Sequence, residues 1–179
     1  PFEKDVSELS GLSLVVGLAI CQAIESVVSL PGTTLSVKWP NDLLAEHCKL
    51  AVTLIELQAE PNGYCQATIG VGIHVNLANA TKKNINQPLT SLLTISDQFQ
   101  DRNTLCAALI DTLIDYLRQF TTDGLSAFSD EWEKRDHLRG RKTAIMSGKK
   151  KHVGICAGIN EHGHLLLQTE GQAIQAYAS

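Results

Sequence analysis

Two strand-like runs, residues 49–59 and 64–77, meet around Pro61-Asn62-Gly63. Asn-Gly is the preferred two-residue hairpin turn because both positions must take positive φ. Few local signals constrain a fold as tightly, since a fixed turn also fixes the register of both strands. With Asn62-Gly63 as the turn, Pro61 faces Tyr64 and pairing runs outward. Thr53 then opposes Gly72, Ala51 opposes His74 and Lys49 opposes Asn76. In the second run Cys65, Ala67, Ile69, Val71, Ile73, Val75 and Leu77 share one face. That face is expected to be core. The other carries Thr68, Gly70, Gly72, His74 and Asn76, and is small and polar for a strand.

This register predicts that Lys49, Ala51 and Thr53 share a face with Gly70, Gly72 and His74. Glycine in a strand permits close backbone approach. A bare patch beside a lysine could therefore seat a flat, anionic ligand. Equally, the glycines could admit an overlying helix, with Lys49 solvated at a strand end. Gly70-Val71-Gly72 is not a dinucleotide fingerprint, because it lacks the third glycine and lies within a strand.

Upstream, apolar residues at three- and four-residue spacing over 12–28 predict a buried helix, capped by Ser7 or Ser10 and stopped by Pro31-Gly32. Residues 35–39 alternate as a strand, Pro40 ends it, and Asn41-Asp42 reads as a turn. In Lys38-Trp39-Pro40-Asn41-Asp42 a lysine and a carboxylate lie close together. They could hold a nucleotide phosphate and its magnesium, with Lys38 as a point charge and Asp42 as a hard oxygen ligand. A purely structural turn around a buried Trp39 is the other reading. Residues 78–87 lack periodicity and read as a surface loop. Asp101-Arg102-Asn103 opens a long helix ended by Asp123-Gly124, and 125–135 reads as a shorter one.

From His137 onward the pattern changes. Short apolar runs at 143–146, 153–159, 165–167 and 173–177 alternate with turns, which suggests a small barrel packed on the larger unit. Lys149-Lys150-Lys151 is expected at a hairpin tip, and His162-Gly163-His164 in a turn. The 179 residues carry a net charge of −4, so nucleic-acid binding through a general basic field is excluded, although a local basic patch is not. No apolar run reaches a membrane span, and no signal peptide is evident. The five cysteines show no CxxC spacing and read as reduced cytosolic thiols, so a cytoplasmic location is expected. No Ser/His/Asp or Cys/His nucleophile pattern emerges. The first residue is Pro1 rather than Met, so a fragment, or a chain without its disordered ends, is expected.

The same residues resemble the biotin–protein ligase (biotin–[acetyl-CoA-carboxylase] ligase) family. The similar stretches are Leu12-Ser13-Leu14-Val15-Val16-Gly17, Val37-Lys38-Trp39-Pro40-Asn41-Asp42-Leu43, Lys49-Leu50-Ala51, Gly70-Val71-Gly72-Ile73 and Trp132-Glu133-Lys134-Arg135-Asp136, then the glycines and leucines of residues 154–167. The resemblance implies an α+β fold. Residues 1–136 would be the C-terminal portion of a catalytic domain like that of class II aminoacyl-tRNA synthetases, a mixed sheet with flanking helices. Residues 137–179 would form an SH3-like β-barrel. The implied activity joins biotin to ATP as biotinyl-5′-AMP, then passes biotin to a lysine of a biotin carboxyl carrier protein.

By the same resemblance, Lys49 contacts the biotin carboxyl and has the catalytic role, and Gly70 and Gly72 lie against biotin. Lys38, Asn41, Asp42 and His74 lie by the nucleotide, with Asp42 a magnesium ligand. The chain departs from the family's usual residues at Cys48 (usually Arg), Val52 (usually Gly) and His74 (usually Asn). The family's Gly-Arg-rich phosphate loop has no counterpart in it. A non-catalytic biotin-sensing or partner-binding module is therefore the alternative expectation. A homodimer is a possible assembly, and DNA a partner only with an upstream winged helix.

Overall fold

Apolar residues repeating every three or four positions form α1 (Leu12–Val27). Eleven of its sixteen residues are buried, so it is wrapped by the rest of the molecule on most sides. The computed structural model describes residues 6–61, 64–77, 87–148, 150–169, 171 and 173–178. The N-cap of α1 is Gly11, with φ 85°, rather than Ser7 or Ser10. The Ser10 hydroxyl instead donates to the His162 carbonyl. Inside the helix, a Cβ on Gly17 would meet Val37 Cγ1 at 3.0 Å. The missing side chain is what lets the helix sit this close to the sheet.

That sheet holds β1 (Leu35–Lys38), β2 (Asp42–Ala45), β3 (Cys48–Ala59) and β4 (Cys65–Ile73), in the order β1-β2-β3-β4. Three expectations are corrected. Asp42 does not close a turn; it opens β2. The sheet is not mixed, because every strand pair in it is antiparallel. Among the described residues, parallel contact is confined to the single bridges Val37–Asp136 and Lys49–Leu89. Finally, the hairpin register differs by one residue. Ala51 pairs with Ile73, Val52 with Gly72 and Leu54 with Gly70. The physical reason is Pro61, which has no N–H for the ladder. Pairing closes instead at Glu60, whose amide donates to the Tyr64 carbonyl at 2.8 Å. The expected turn residues Asn62 and Gly63 lie outside the described residues.

The helices after the sheet are α2 (Leu92–Ser96), α3 (Arg102–Asp123) and α4 (Ser129–Arg135). The Asp101 carboxylate caps α3 by accepting from the Asn103 and Thr104 amides, and Gly124 ends it. α1 and the inward sheet residues Leu35, Val37, Leu43, Ala45 and Ala51 make one core, to which α3 adds Leu105 and Phe120. Arg135 fastens α4 to α1 through two bonds to the Glu25 carboxylate, at 2.8 and 2.7 Å. Cys21 lies within this core, and burial pushes its thiol up to about 12. All five cysteines are free.

A second antiparallel sheet follows, with β5 (Lys142–Ser147), β6 (Lys150–Ile159), β7 (Leu165–Gln168) and β8 (Gln175–Tyr177) in that order. It buries Leu138, Cys156 and Leu165, with Trp39 and Ile145 packed against them. Hydrogen bonds stitch the segments around it to the first sheet, two of them from N–H donors. The His137 amide donates to the Val37 carbonyl and Trp39 Nε1 to the Gly163 carbonyl, both at 3.0 Å. Among the described residues, no helix is long and apolar enough to cross a membrane.

Candidate functional site

Pairing sets Lys38 opposite Asp42, Asp42 opposite Val52, and Val52 opposite Gly72. Directly paired residues share a sheet face. One row therefore crosses all four strands on the side away from α1. The neighbouring row, Val37–Leu43–Ala51–Ile73, is the one that packs inward.

Lys49 joins the outer row through a β-bulge. Leu43 pairs with Ala51 but Leu44 with Lys49, so Leu50 is an extra residue. Leu50 and Ala51 are consequently both buried. A bulge re-aims the chain on its far side. Lys49 Nζ thus reaches Asp42 Oδ1 at 2.6 Å, with both side chains about one-fifth exposed. The expected grouping of Lys49, Ala51 and Thr53 with the glycines is correct for Lys49 alone. Ala51 and Thr53 are each 2 % exposed and face the core. The shifted register turns all three away from Gly70 and Gly72, and the bulge turns Lys49 back.

The glycine patch is open. A Cβ on Gly70 would meet nothing nearer than Leu54 O at 3.5 Å, and one on Gly72 nothing nearer than Val52 Cγ1 at 3.6 Å. These are ordinary contacts, so packing within the chain does not demand either glycine. Nor do α1 and α3 overlie them, since both helices pack on the opposite face. Leu54, 64 % exposed, and Val52, 36 % exposed, complete an apolar floor. At one end stand Lys49, Asp42 and Lys38. The arrangement suits a ligand with a flat apolar body and an anionic end.

Asn41 lies behind this row. Its Nδ2 donates to the Thr53 carbonyl at 2.8 Å, and the Thr53 amide donates to the Asn41 carbonyl at 3.0 Å. Ser13 Oγ donates to the Pro40 carbonyl at 2.9 Å, and the Trp39–Pro40 peptide is cis. The Asn41 amide therefore fixes the loop that delivers Asp42. Asn41→Ala leaves a partly buried carbonyl unsatisfied, which costs about 1–3 kcal/mol. Urea unfolding should show a lowered midpoint with unchanged slope.

His74 follows β4, which ends at Ile73 rather than running to Leu77. Its amide donates to the Leu50 carbonyl at 3.0 Å, and its Nδ1 lies 3.1 Å from the Thr90 carbonyl. A carbonyl can only accept, so Nδ1 carries a proton and Nε2 remains available to a ligand. His162 and His164 flank a turn, as expected, with ring centroids 5.8 Å apart. Among the described residues, no group of three or more His, Cys, Asp or Glu could hold a metal ion. Lys149 lies outside the described residues.

Sequence reasoning missed the bulge, the Lys49–Asp42 pair and the Asn41–Thr53 clamp. One signal for the bulge existed. Leu50 and Ala51 are consecutive apolar residues where strict alternation would place one of them outside.

No family model matches the chain. It is 35% identical over 169 residues to the bifunctional ligase/repressor BirA of Escherichia coli, a match covering 94% of this chain and 51% of that protein. It is 29% identical over 163 residues to the biotin–[acetyl-CoA-carboxylase] ligase of Mycobacterium tuberculosis, covering 91% and 58%. The chain thus spans about half the length of the curated relatives it matches. Among solved structures, apo biotin protein ligase from Aquifex aeolicus superimposes with a TM-score of 0.83 at 26% identity, over 97% of this chain and 74% of that one. The same ligase in complex with biotin and ATP gives 0.81 at 26% identity, over 96% and 69%. With sequence and fold in agreement over nearly its whole length, the chain belongs to the biotin–protein ligase family.

Proposed function

We propose that this chain is the biotin-activating part of an ATP-dependent biotin–protein ligase. The observation that carries the reading is the outer face of the first sheet, where a glycine-lined apolar floor ends at the Lys49–Asp42 pair. Biotin has that shape and polarity, a flat bicyclic body and a terminal carboxylate. In the proposed reaction a biotin carboxylate oxygen attacks the α-phosphorus of ATP, and the bond to the β-phosphate breaks with pyrophosphate leaving. A lysine amine of a biotin carboxyl carrier protein then attacks the acyl carbon of biotinyl-5′-AMP, and AMP leaves. In the first step two anions approach each other, so fixed cations lower its barrier.

Lys49 would exchange Asp42 for the biotin carboxylate. Released, Asp42 would serve as the single protein carboxylate of a magnesium that enters on the nucleotide phosphates, a common arrangement for this ion. Lys38 and the free Nε2 of His74 would face the nucleotide, while Asn41 positions Asp42. Residues 1–136 would correspond to the class II synthetase-like catalytic domain and 137–179 to an SH3-like barrel. The test is biotin-dependent formation of biotinyl-5′-AMP by the whole protein, which the proposal requires. Val52 supports a second reading, a biotin sensor without turnover. It places a β-branched side chain on the ligand floor, where the resemblance leads one to expect glycine. Biotin binding without any adenylate would favour that reading.

A further inference from the structure

The outer face of the second sheet is apolar at its centre and basic at its rim. Lys142 pairs with Ile155 and Ile155 with Gln168, while Ala144 pairs with Val153 and Met146 with Lys151. Paired residues share a face, and Cys156, Leu165 and Leu167 fill the opposite, buried one. Met146, Val153 and Ile155 therefore stand exposed together. Lys142, Val153, Ile155 and Gln168 line a groove of about 580 Å³ there. Among the described residues no salt bridge reaches Lys142 or Lys151. Residues 137–179 hold six lysines and arginines against two acidic residues, in a chain whose net charge is −4.

A knob of matching chemistry stands elsewhere on the chain. Phe99, between α2 and α3, is 79 % exposed, more than any other large apolar residue among the described residues. Asp97 and Asp101, both exposed, flank it in sequence. The loop is pinned on either side of the ring. The Gln100 amide donates to Asn76 Oδ1 at 2.9 Å, and Asn76 Nδ2 donates to the Gln100 carbonyl at 2.8 Å. The Gln98 amide donates to Ser96 Oγ at 3.2 Å, and Gln100 Nε2 to the Gln98 carbonyl at 2.8 Å. A ring held out in water by a fixed loop loses little conformational freedom on docking, which suits it as an anchor.

We propose that Phe99 of one copy of this chain inserts between Val153 and Ile155 of a second copy, with Asp97 and Asp101 set against Lys142 and Lys151. Shape and charge both select that occupant. The knob is aromatic and flanked by acids; the groove is aliphatic and rimmed by lysines. Opposite charges steer two copies into this register, and like charges oppose knob against knob or groove against groove. Among the described residues the face carries no aromatic ring on which a base could stack, so it does not read as a single-strand nucleic-acid platform. The surface lies on a different sheet from Lys49 and the two glycines and goes beyond the ligase reading.

Two unlike patches make a head-to-tail contact, in which a copy offers its knob to one neighbour and its groove to another. Such a contact has a signature that a contact between identical patches lacks. A copy without its knob and a copy without its groove each fail to associate alone. The intact groove of the one still accepts the intact knob of the other.

The direct test is analytical sedimentation of the whole protein without biotin or nucleotide. The average mass should rise with concentration at about 50 mM salt and rise less at about 500 mM, because salt screens the flanking charges. Phe99→Ser and Val153→Glu should each weaken self-association by roughly tenfold or more. Both positions are exposed, so a thermal melt should show the fold retained. Mixed in equal amounts, the two variants should form a one-to-one pair. Asp97→Asn keeps a side chain that tolerates the left-handed backbone at φ 53°. It should weaken association about threefold and flatten the salt dependence. A wild-type protein that stays monomeric throughout overturns the proposal. So does association that survives both Phe99→Ser and Val153→Glu, or a mixture of the two folded variants that remains unpaired. No readout needs biotin or turnover, so failure of the ligase reading and failure of this contact are separately visible.

Discussion

Lys49→Ala lowers the rate of biotinyl-5′-AMP formation by the whole protein by at least ~10²-fold, the scale of losing one preorganised electrostatic contact at a developing charge. The expectation rests on position. The Leu50 bulge brings Lys49 onto the outer face, and its Nζ stands 2.6 Å from Asp42 Oδ1. On the proposed reading, that ammonium would be the cation nearest the attacking oxygen of a bound carboxylate substrate. The Lys49–Asp42 pair is only about one-fifth exposed, so removing Lys49 leaves a largely buried carboxylate unpaired and lowers stability as well, by about 1–3 kcal/mol. That loss is too small to account for the rate: in the fraction that remains folded, the single-turnover rate should still collapse. A near-normal rate removes Lys49 from the chemistry.

The second large effect is steric. Gly72→Leu blocks the apolar floor and weakens biotin binding by roughly tenfold or more. Its own Cβ has room, since the nearest atom, Val52 Cγ1, lies 3.6 Å away, and the rest of the side chain points outward from an exposed strand position. Surface changes of this kind move stability by only ~0.5 kcal/mol. Isothermal titration with biotin reads the loss, and a thermal melt shows whether the fold persists. Unchanged affinity in a folded Gly72→Leu variant places biotin elsewhere. Gly154→Ala is the informative contrast. A Cβ there would lie 2.5 Å from the Gln168 carbonyl, so the substitution strains the second sheet without touching the proposed site.

The two glycines thus illustrate how far the sequence could be read. Gly70 and Gly72 were recognisable as an unusually bare strand face, and Lys49 as the cation beside it. The register that joined them on paper was displaced by one residue. Asn-Gly is a strong turn signal, yet Pro61 beside it could not pair, and pairing closed one residue further out. The bulge at Leu50 then restored Lys49 to the glycine side. The register shift leaves no periodic trace, and the bulge leaves only the break in alternation at Leu50 and Ala51, because each is a single-residue event within runs that remain apolar. The long helices were legible for the opposite reason: α1 and α3 repeat their pattern over several turns, and Asp101 and Gly124 mark the ends of α3. β2 was not, since Asp42 to Ala45 offers four residues, three of them buried, with no alternation to betray a strand. The contact between His137 and Ser36 was illegible because the two stand 101 residues apart.

The central claim is that the outer face of the first sheet is where biotin becomes biotinyl-5′-AMP. A crystal structure of the whole protein with biotinyl-5′-AMP tests it most directly. The account predicts the bicyclic ring in van der Waals contact, within ~4.5 Å, of Gly70 and Gly72. It predicts Lys49 Nζ about 3 Å from an oxygen at the acyl–phosphate junction, turned from Asp42 toward the ligand. A ligand seated on the α1 and α3 side of the sheet, or one held with the Lys49–Asp42 pair intact and out of reach, would contradict it.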